Sequence, residues 1–243
     1  MTALAIEGYH RYAVFWAPPA GSPLARFGAD WLGWDPAAGR RTREPDPRVA
    51  APARYGLHAT LKAPFRLADG VAPGDLDAAL ETFAARRAPA AAPGLVLDDA
   101  LGFLALAPGG PSPGLDALAA EAVRGFDRFR APLDEADRAR RGADRLDPEA
   151  RRLFETWGYP HVLGRFRFHV TLTGRLDPAE AAAARAALAG RLDGLLTARF
   201  TLDALSLFGD PGGGQDEHAG FRHLRRYPLT GRRADPVTAS LST

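Results

Sequence analysis

The chain has 243 residues, of which 46% are hydrophobic, and its 31 basic and 29 acidic residues leave a formal charge of only +2 at pH 7. This composition supplies a core and excludes a disordered protein, while the small charge imbalance argues against a dedicated binder of polyanions. The absence of cysteine excludes disulfides and cysteine-based metal sites. No segment approaches the roughly 20 apolar residues of a membrane span, and the N-terminus lacks a signal-peptide pattern, so we expect a cytoplasmic protein without a membrane role.

The first half of the chain alternates predicted strands and helices. Residues 9–17 are rich in β-formers and end before two prolines, which predicts a strand. Helical spacing of apolar residues and an N-cap at Asp75 predict a helix over 75–87. The other predictions, in chain order, are a helix over 23–32, a loop over 40–52, strands over 55–63, 95–98 and 102–107, and a helix over 112–133.

The second half repeats the order of strand, capped helix and strand pair. We predict a strand over 166–174, a helix from the cap Asp177 to about residue 195, and a hairpin of strands 200–208 and 221–229. This order predicts an α+β fold with antiparallel sheets and helices outside. Between the halves, the charged segment 134–156 is interpreted as a solvated helical connector, with a lid over the substrate as the alternative.

Two segments share the pattern His-x-Thr-Leu, at His58 and at His169, 111 residues apart. Each lies in a stretch where polar and apolar residues alternate, and side chains on a strand alternate between faces. The polar side chains that share a face are His58, Thr60 and Lys62 in the first copy, and Arg165, Arg167, His169, Thr171, Thr173 and Arg175 in the second.

An imidazole, a hydroxyl and a cation spaced about 7 Å apart along a strand suit a phosphate better than a core. A single His-x-Thr-Leu has no value as a motif, but two copies on strand-like segments indicate a duplicated fold with both histidines facing one cleft. The alternative is that each histidine is a partly exposed strand residue beside an ordinary threonine.

The two segments resemble the signature of the two-histidine (2H) phosphoesterases, which include cyclic phosphodiesterases and 2′-5′ RNA ligases. Residues 54–65 (Arg-Tyr-Gly-Leu-His-Ala-Thr-Leu-Lys-Ala-Pro-Phe), 126–133 and 157–174 resemble a branch encoded beside phosphonate-utilisation (carbon–phosphorus lyase) genes. The resemblance runs from about Tyr9 to Leu229. One departure is His161, where the branch carries a tyrosine, and it affects packing or substrate fit rather than the histidine pair.

The resemblance implies a single domain over 1–243 made of two pseudo-symmetric lobes around a central cleft. With the sequence order, it places lobe 1 at about 9–133, the linker at about 134–156 and lobe 2 at about 157–230.

We expect His58 and His169 to act as general acid and base, because an imidazole can carry out either role near neutral pH. Thr60 and Thr171 can donate hydrogen bonds to phosphate oxygens, and Lys62 and Arg167, with Arg175 as a further candidate, can add positive charge there. Thr173 shares that polar face, and Tyr12 is a candidate for stacking on a base or sugar. Which histidine is the acid stays open. No metal or other cofactor is expected.

The expected activity is hydrolysis of a cyclic or linear phosphodiester, with a ribose or nucleotide phosphate of phosphonate metabolism as the candidate substrate. RNA ends are a further candidate, and we expect a monomer. The alternatives are a protein that binds or ligates nucleotides or RNA ends through a 2′-5′ bond, and a metallophosphatase. The metallophosphatase is disfavoured because no carboxylate lies on the polar faces of the motif strands.

Overall fold

The computed structural model describes residues 5–44, 46–212 and 220–231. The strands are β1 (Arg11–Trp16), β2 (Trp34–Asp35), β3 (Arg40–Arg41), β4 (Ala59–Phe65), β5 (Ala90–Pro93), β6 (Leu95–Asp98), β7 (Ala105–Pro108), β8 (Val170–Thr171), β9 (Arg199–Leu202), β10 (Ala204–Asp210) and β11 (Arg222–Pro228). The helices are α1 (Pro23–Leu32), α2 (Ala50–Ala53), α3 (Pro73–Ala85), α4 (Pro113–Phe126), α5 (Glu135–Arg141), α6 (Pro148–Trp157) and α7 (Pro178–Leu192).

All strand pairs are antiparallel, so the predicted α+β class with antiparallel sheets is confirmed. A four-stranded sheet has the order β11-β10-β1-β4, and a three-stranded sheet has the order β6-β7-β8. Two further pairs are β5-β9 and β2-β3.

The sheets combine strands from both predicted lobes, residues 9–133 and 157–230. The four-stranded sheet joins β1 and β4 of the first half to β10 and β11 of the second, and β8 of the second half extends the β6-β7 hairpin. Strand pairing therefore interleaves the two halves, because the hydrogen-bonding edges of β1 and β7 are completed by distant segments.

Several predicted elements are confirmed, and local capping explains their bounds. Helix α1 spans the predicted residues, starting where Ser22 Oγ accepts a hydrogen bond from the Ala25 amide and ending at Gly33 with φ +76°. Helix α7 begins after Asp177, whose carboxylate accepts from the Glu180 amide at 2.8 Å. Helix α3 begins two residues earlier than predicted, and Asp75 lies in its first turn rather than at the cap.

The two motif strands differ from their predicted lengths. Strand β4 begins after His58 and continues through Pro64, which an edge strand tolerates since one of its faces needs no ladder hydrogen bond. Strand β8 has two residues instead of the predicted 166–174. Beyond it, the amides of Leu172 and Thr173 both donate to the Leu104 carbonyl, so the regular ladder ends there.

Other boundaries also differ. The predicted loop 40–52 contains β3, a 3-10 turn and α2, and the predicted helix 112–133 ends at Phe126. Strand β5 was not predicted, and β9 pairs with it while β10 and β11 form the predicted hairpin, whose residues 213–219 lie outside the described residues.

The four-stranded sheet separates two apolar clusters, which determine what faces the site. On β1, Tyr12, Val14 and Trp16 point into the main core, together with apolar residues of α3, α4 and α7. Ala13 and Phe15 point to the other side, into a smaller cluster with Phe208, Phe221 and Tyr55. None of the helices in the described part of the chain has both the length and the apolar character needed to cross a membrane.

Candidate active site

His58 precedes β4 and is held by a backbone carbonyl and two aromatic rings. Its Nδ1 lies 2.9 Å from the carbonyl oxygen of Gly56, whose φ of +72° turns the chain back toward the ring. The imidazole centroid lies 4.2 Å from the ring of Phe15 and 5.2 Å from that of Tyr55. Since a carbonyl oxygen only accepts, Nδ1 carries the proton and Nε2 of the neutral ring is left as the base.

His169 repeats this arrangement in the second motif. Its Nδ1 lies 2.7 Å from the carbonyl oxygen of Arg167, again two residues earlier in the chain. The ring of Phe103 lies 5.9 Å from the imidazole. The same argument fixes the same tautomer, so both histidines keep Nε2 for proton transfer.

The fold brings the two motifs together. Strands β4 and β8 pack against each other although they belong to different sheets. Thr60 of the first motif and His169 of the second line one cavity of about 590 Å³. The two imidazoles also interact electrostatically, because the positive charge of His169 contributes to lowering the pKa of His58.

Burial lowers the pKa of both histidines. The pKa of His58 falls to about 4, chiefly through burial, with the Gly56 carbonyl opposing the shift and His169 adding to it. Burial also lowers the pKa of His169, against the effect of the Arg167 carbonyl. Because desolvation penalises the imidazolium, His58 is neutral at pH 7.

The two motif segments also carry hydroxyl and guanidinium groups. Thr60 and Thr171 are half-buried on the faces that carry the histidines. Arg167 and Arg175 are exposed and line the cavity, and within the described residues neither forms an ion pair with a carboxylate. The Arg167 Nη1 donates to the Phe166 carbonyl at 2.7 Å.

Lys62 does not supply the predicted phosphate contact. Its side chain is 2% exposed, and its Nζ pairs with Asp127 at 2.5 Å while approaching the carbonyl oxygens of Val123 and Trp157 at 3.4 and 3.5 Å. Burial lowers its pKa to about 8, partly offset by Asp127. Lys62 thus ties β4 to the ends of α4 and α6.

Thr173 and Tyr12 are also corrected as substrate contacts. Thr173 is 1% exposed, and its Oγ1 accepts a hydrogen bond from the Leu104 amide at 3.0 Å. Tyr12 is 2% exposed, faces the main core on the side of the sheet opposite Phe15, and donates its hydroxyl to the Ile6 carbonyl at 2.7 Å. Each is occupied in holding the fold.

Comparison with known proteins identifies the family. Residues 60–217, which start at Thr60 of the first motif and include the whole second motif, match the family described as Protein of unknown function (DUF1045). The chain belongs to the DUF1045 family.

Two curated proteins similar to this DUF1045 chain are named ribose 1,5-bisphosphate phosphokinase PhnN. That of Janthinobacterium sp. (strain Marseille) is 37% identical over 190 residues, which cover 72% of this chain and 41% of that protein. That of Laribacter hongkongensis (strain HLHK9) is 38% identical over 224 residues, which cover 88% of this chain and 51% of that protein. The chain therefore spans about half the length of these relatives, or less.

Three solved structures share parts of the DUF1045 fold at low similarity. A crystal structure of a phosphoesterase has a TM-score of 0.43 and 16% identity, covering 91% of this chain and 99% of its own. E. coli LigT complexed with NADP+ has a TM-score of 0.41 and 15% identity, and the match covers 92% of this chain and 99% of the LigT chain. Kluyveromyces marxianus Usb1 has a TM-score of 0.36 and 13% identity, covering 91% and 99%.

The connector 134–156 contributes to the cavity of this DUF1045 protein. Glu149 of α6 lines the cavity and lies 3.4 Å from Arg165, which also pairs with Asp147 at 2.8 Å. The Arg141 guanidinium of α5 lies over the ring of Tyr159 at 4.7 Å, and Tyr159 lines the same cavity. The connector therefore forms one wall of the site. His161, the position at which this sequence differs from the branch that it resembles, lies on the same wall.

The rings beside the histidines were missed from the sequence. Phe15, Tyr55 and Phe103 each contact a histidine. The only sequence signals for them are the side-chain alternation along β1 for Phe15, and the glycines next to the other two rings, Gly56 after Tyr55 and Gly102 before Phe103. As for metals, residues 5–44, 46–212 and 220–231 contain no group of three or more His, Asp or Glu side chains placed to hold an ion.

Proposed function

We propose that this protein is a metal-independent phosphoesterase that hydrolyses a cyclic or linear phosphodiester with His58 and His169 as its proton-transferring groups. The observation that carries the proposal is the repeated hydrogen bond from Nδ1 to the carbonyl two residues earlier. It leaves the Nε2 atom of each imidazole available, just before the neighbouring strands β4 and β8, so that one Nε2 can accept a proton while the other, protonated, donates one.

In the proposed reaction, His58 takes a proton from water as the water oxygen forms a bond to phosphorus. The bond from phosphorus to the leaving oxygen breaks, and that oxygen takes a proton from His169. We assign the role of base to His58 because burial keeps its resting ring neutral at pH 7. The hydrogen bond of His169, in contrast, is exposed. Thr60, Thr171 and Arg167 donate to the non-bridging oxygens, where charge accumulates.

For the substrate, we propose a phosphorylated ribose or nucleotide that arises in phosphonate metabolism. The support is the name of the two relatives, ribose 1,5-bisphosphate phosphokinase PhnN, whose chains contain a segment like this one. Joining RNA ends through a 2′-5′ bond is the alternative, and it would show as a longer RNA product instead of a phosphomonoester.

Turnover is expected to survive exhaustive chelation, because paired imidazoles and hydrogen-bond donors replace the metal. The test is phosphomonoester release from ribose cyclic phosphates and nucleoside 2′,3′-cyclic phosphates, with and without EDTA. If EDTA abolishes release and one divalent ion restores it, the acid–base mechanism is wrong and a metallophosphatase takes its place.

The value of kcat/KM is expected to peak below pH 6.5. The base His58 is neutral above its pKa of about 4, and the acid His169 is protonated below a pKa that burial lowers from 6.5, so both are correctly charged between these limits. The measurement is kcat/KM across pH 3.5–8.5 on a diester, with circular dichroism confirming the fold at each pH. A maximum above pH 7 would contradict the assignment.

A further inference from the structure

The cavity beside His169 carries more positive charge than one phosphodiester requires. A diester bears a single negative charge, whereas the cavity is lined by three arginines and two histidines with one carboxylate, Glu149. The basic residues are Arg165, Arg167, Arg175, His161 and His169.

The three arginines differ in what already occupies them. Arg165 is neutralised by Asp147 and Glu149. Arg167 precedes the proposed acid by two residues and holds its ring through the backbone carbonyl, so its guanidinium belongs with the scissile phosphate. Arg175 has no carboxylate partner within the described residues and no assigned task in hydrolysis.

The backbone of a tight turn leaves room for the Arg175 guanidinium. Gly102 has φ +79° and closes the turn by donating its amide to the Asp99 carbonyl at 2.8 Å. A Cβ atom at Gly102 would lie 2.9 Å from the Arg175 Nη1, so the guanidinium lies directly against this glycine. The next residue, Phe103, contacts His169. The guanidinium therefore lies along the cavity wall, against the residue that precedes Phe103.

The space on the other side of Phe103 has the opposite charge. A second cavity, of about 490 Å³, is also lined by Phe103, Arg167 and His169, but it carries the carboxylates Asp98 and Asp116. Those carboxylates repel an anion, which leaves the Arg175 side for any further negative group of the substrate.

We propose that Arg175 binds a second phosphoryl group of the substrate, a phosphate monoester on the same molecule as the scissile diester. The proposal rests on the proposed phosphodiesterase function for the diester itself. A monoester carries close to two negative charges at pH 7, and a guanidinium can hold two of its oxygens at once. The substrate class is thus a phosphorylated sugar or nucleotide that also contains the diester.

The test compares a nucleoside 2′,3′-cyclic phosphate with the same compound bearing a 5′-phosphate. The unmodified protein is expected to prefer the 5′-phosphorylated compound in kcat/KM, and Arg175→Ala is expected to reduce that preference about 10- to 100-fold, the range for hydrogen bonds between charged groups. Arg175→Lys should keep part of it. The control is Arg225→Ala, whose guanidinium pairs with Asp77 on another face. An unchanged preference in Arg175→Ala overturns the proposal.

Calorimetry with ribose 5-phosphate and ribose, neither of which contains a diester, separates the two hypotheses. Suppose that the protein turns over no diester but binds ribose 5-phosphate, and that Arg175→Ala weakens this binding. That result would support the second site and reject the proposed function. Turnover of both diesters with a preference that is independent of Arg175 retains the function and removes the second site.

Discussion

Replacing either His58 or His169 with Ala is expected to lower kcat by about 10²- to 10⁴-fold, because each transfers a proton in the transition state. KM should change little, since the threonines and Arg167 still hold the phosphate. The measurement is steady-state hydrolysis of a cyclic phosphodiester. His10→Ala, at an exposed histidine outside the site, is the matched control and should keep its rate.

The double variant lacking both histidines is expected to lose far less than the product of the two single losses, since base and acid act as one unit. Urea unfolding of each variant shows whether the fold is retained. A variant that is folded, lacks either histidine and keeps most of its rate would refute the mechanism.

Asp127→Ala is expected to lower the free energy of unfolding by about 3 kcal/mol, because it leaves the ammonium of Lys62 buried without its counter-charge. Two carbonyl oxygens at 3.4 and 3.5 Å cannot replace a carboxylate at 2.5 Å. The measurement is urea unfolding. Glu155→Ala, which breaks the exposed pair with Arg138, is the control and should leave the free energy of unfolding nearly unchanged.

Adding Lys62→Met to Asp127→Ala is expected to restore part of that loss, because Met has a similar volume and needs no counter-charge. A double variant less stable than Asp127→Ala alone would show that the ammonium contributes through its carbonyl contacts rather than through the ion pair.

The sequence predicted the elements whose signals are local. Alternation placed His58 and Thr60, and likewise His169 and Thr171, on shared polar faces, and the predicted cap at Asp177 agrees with the start of α7. These signals depend on side-chain parity and on hydrogen bonds within a few residues, which a sequence displays directly.

The errors concern residues whose environment is set by distant partners. Lys62 has the correct parity for the cleft, but Asp127 and the end of α6 cover it. Thr173 shares the polar parity of its motif, yet its hydroxyl accepts a hydrogen bond from the amide of Leu104, the residue before β7. Tyr12 faces the helices rather than the site because the face of β1 depends on β4 and β10, its neighbours in the sheet. No local pattern specifies these contacts.

The interleaved sheet has a consequence for biogenesis. Arg11 of β1 pairs with Asp210 of β10, a separation of 199 residues. At about 5–20 residues per second, the ribosome needs roughly 10–40 s after making β1 before its partner is synthesised. The strand that supports His58 therefore waits with one unsatisfied edge until β10 has been synthesised, and chaperones that shield such edges would have their strongest effect in this interval.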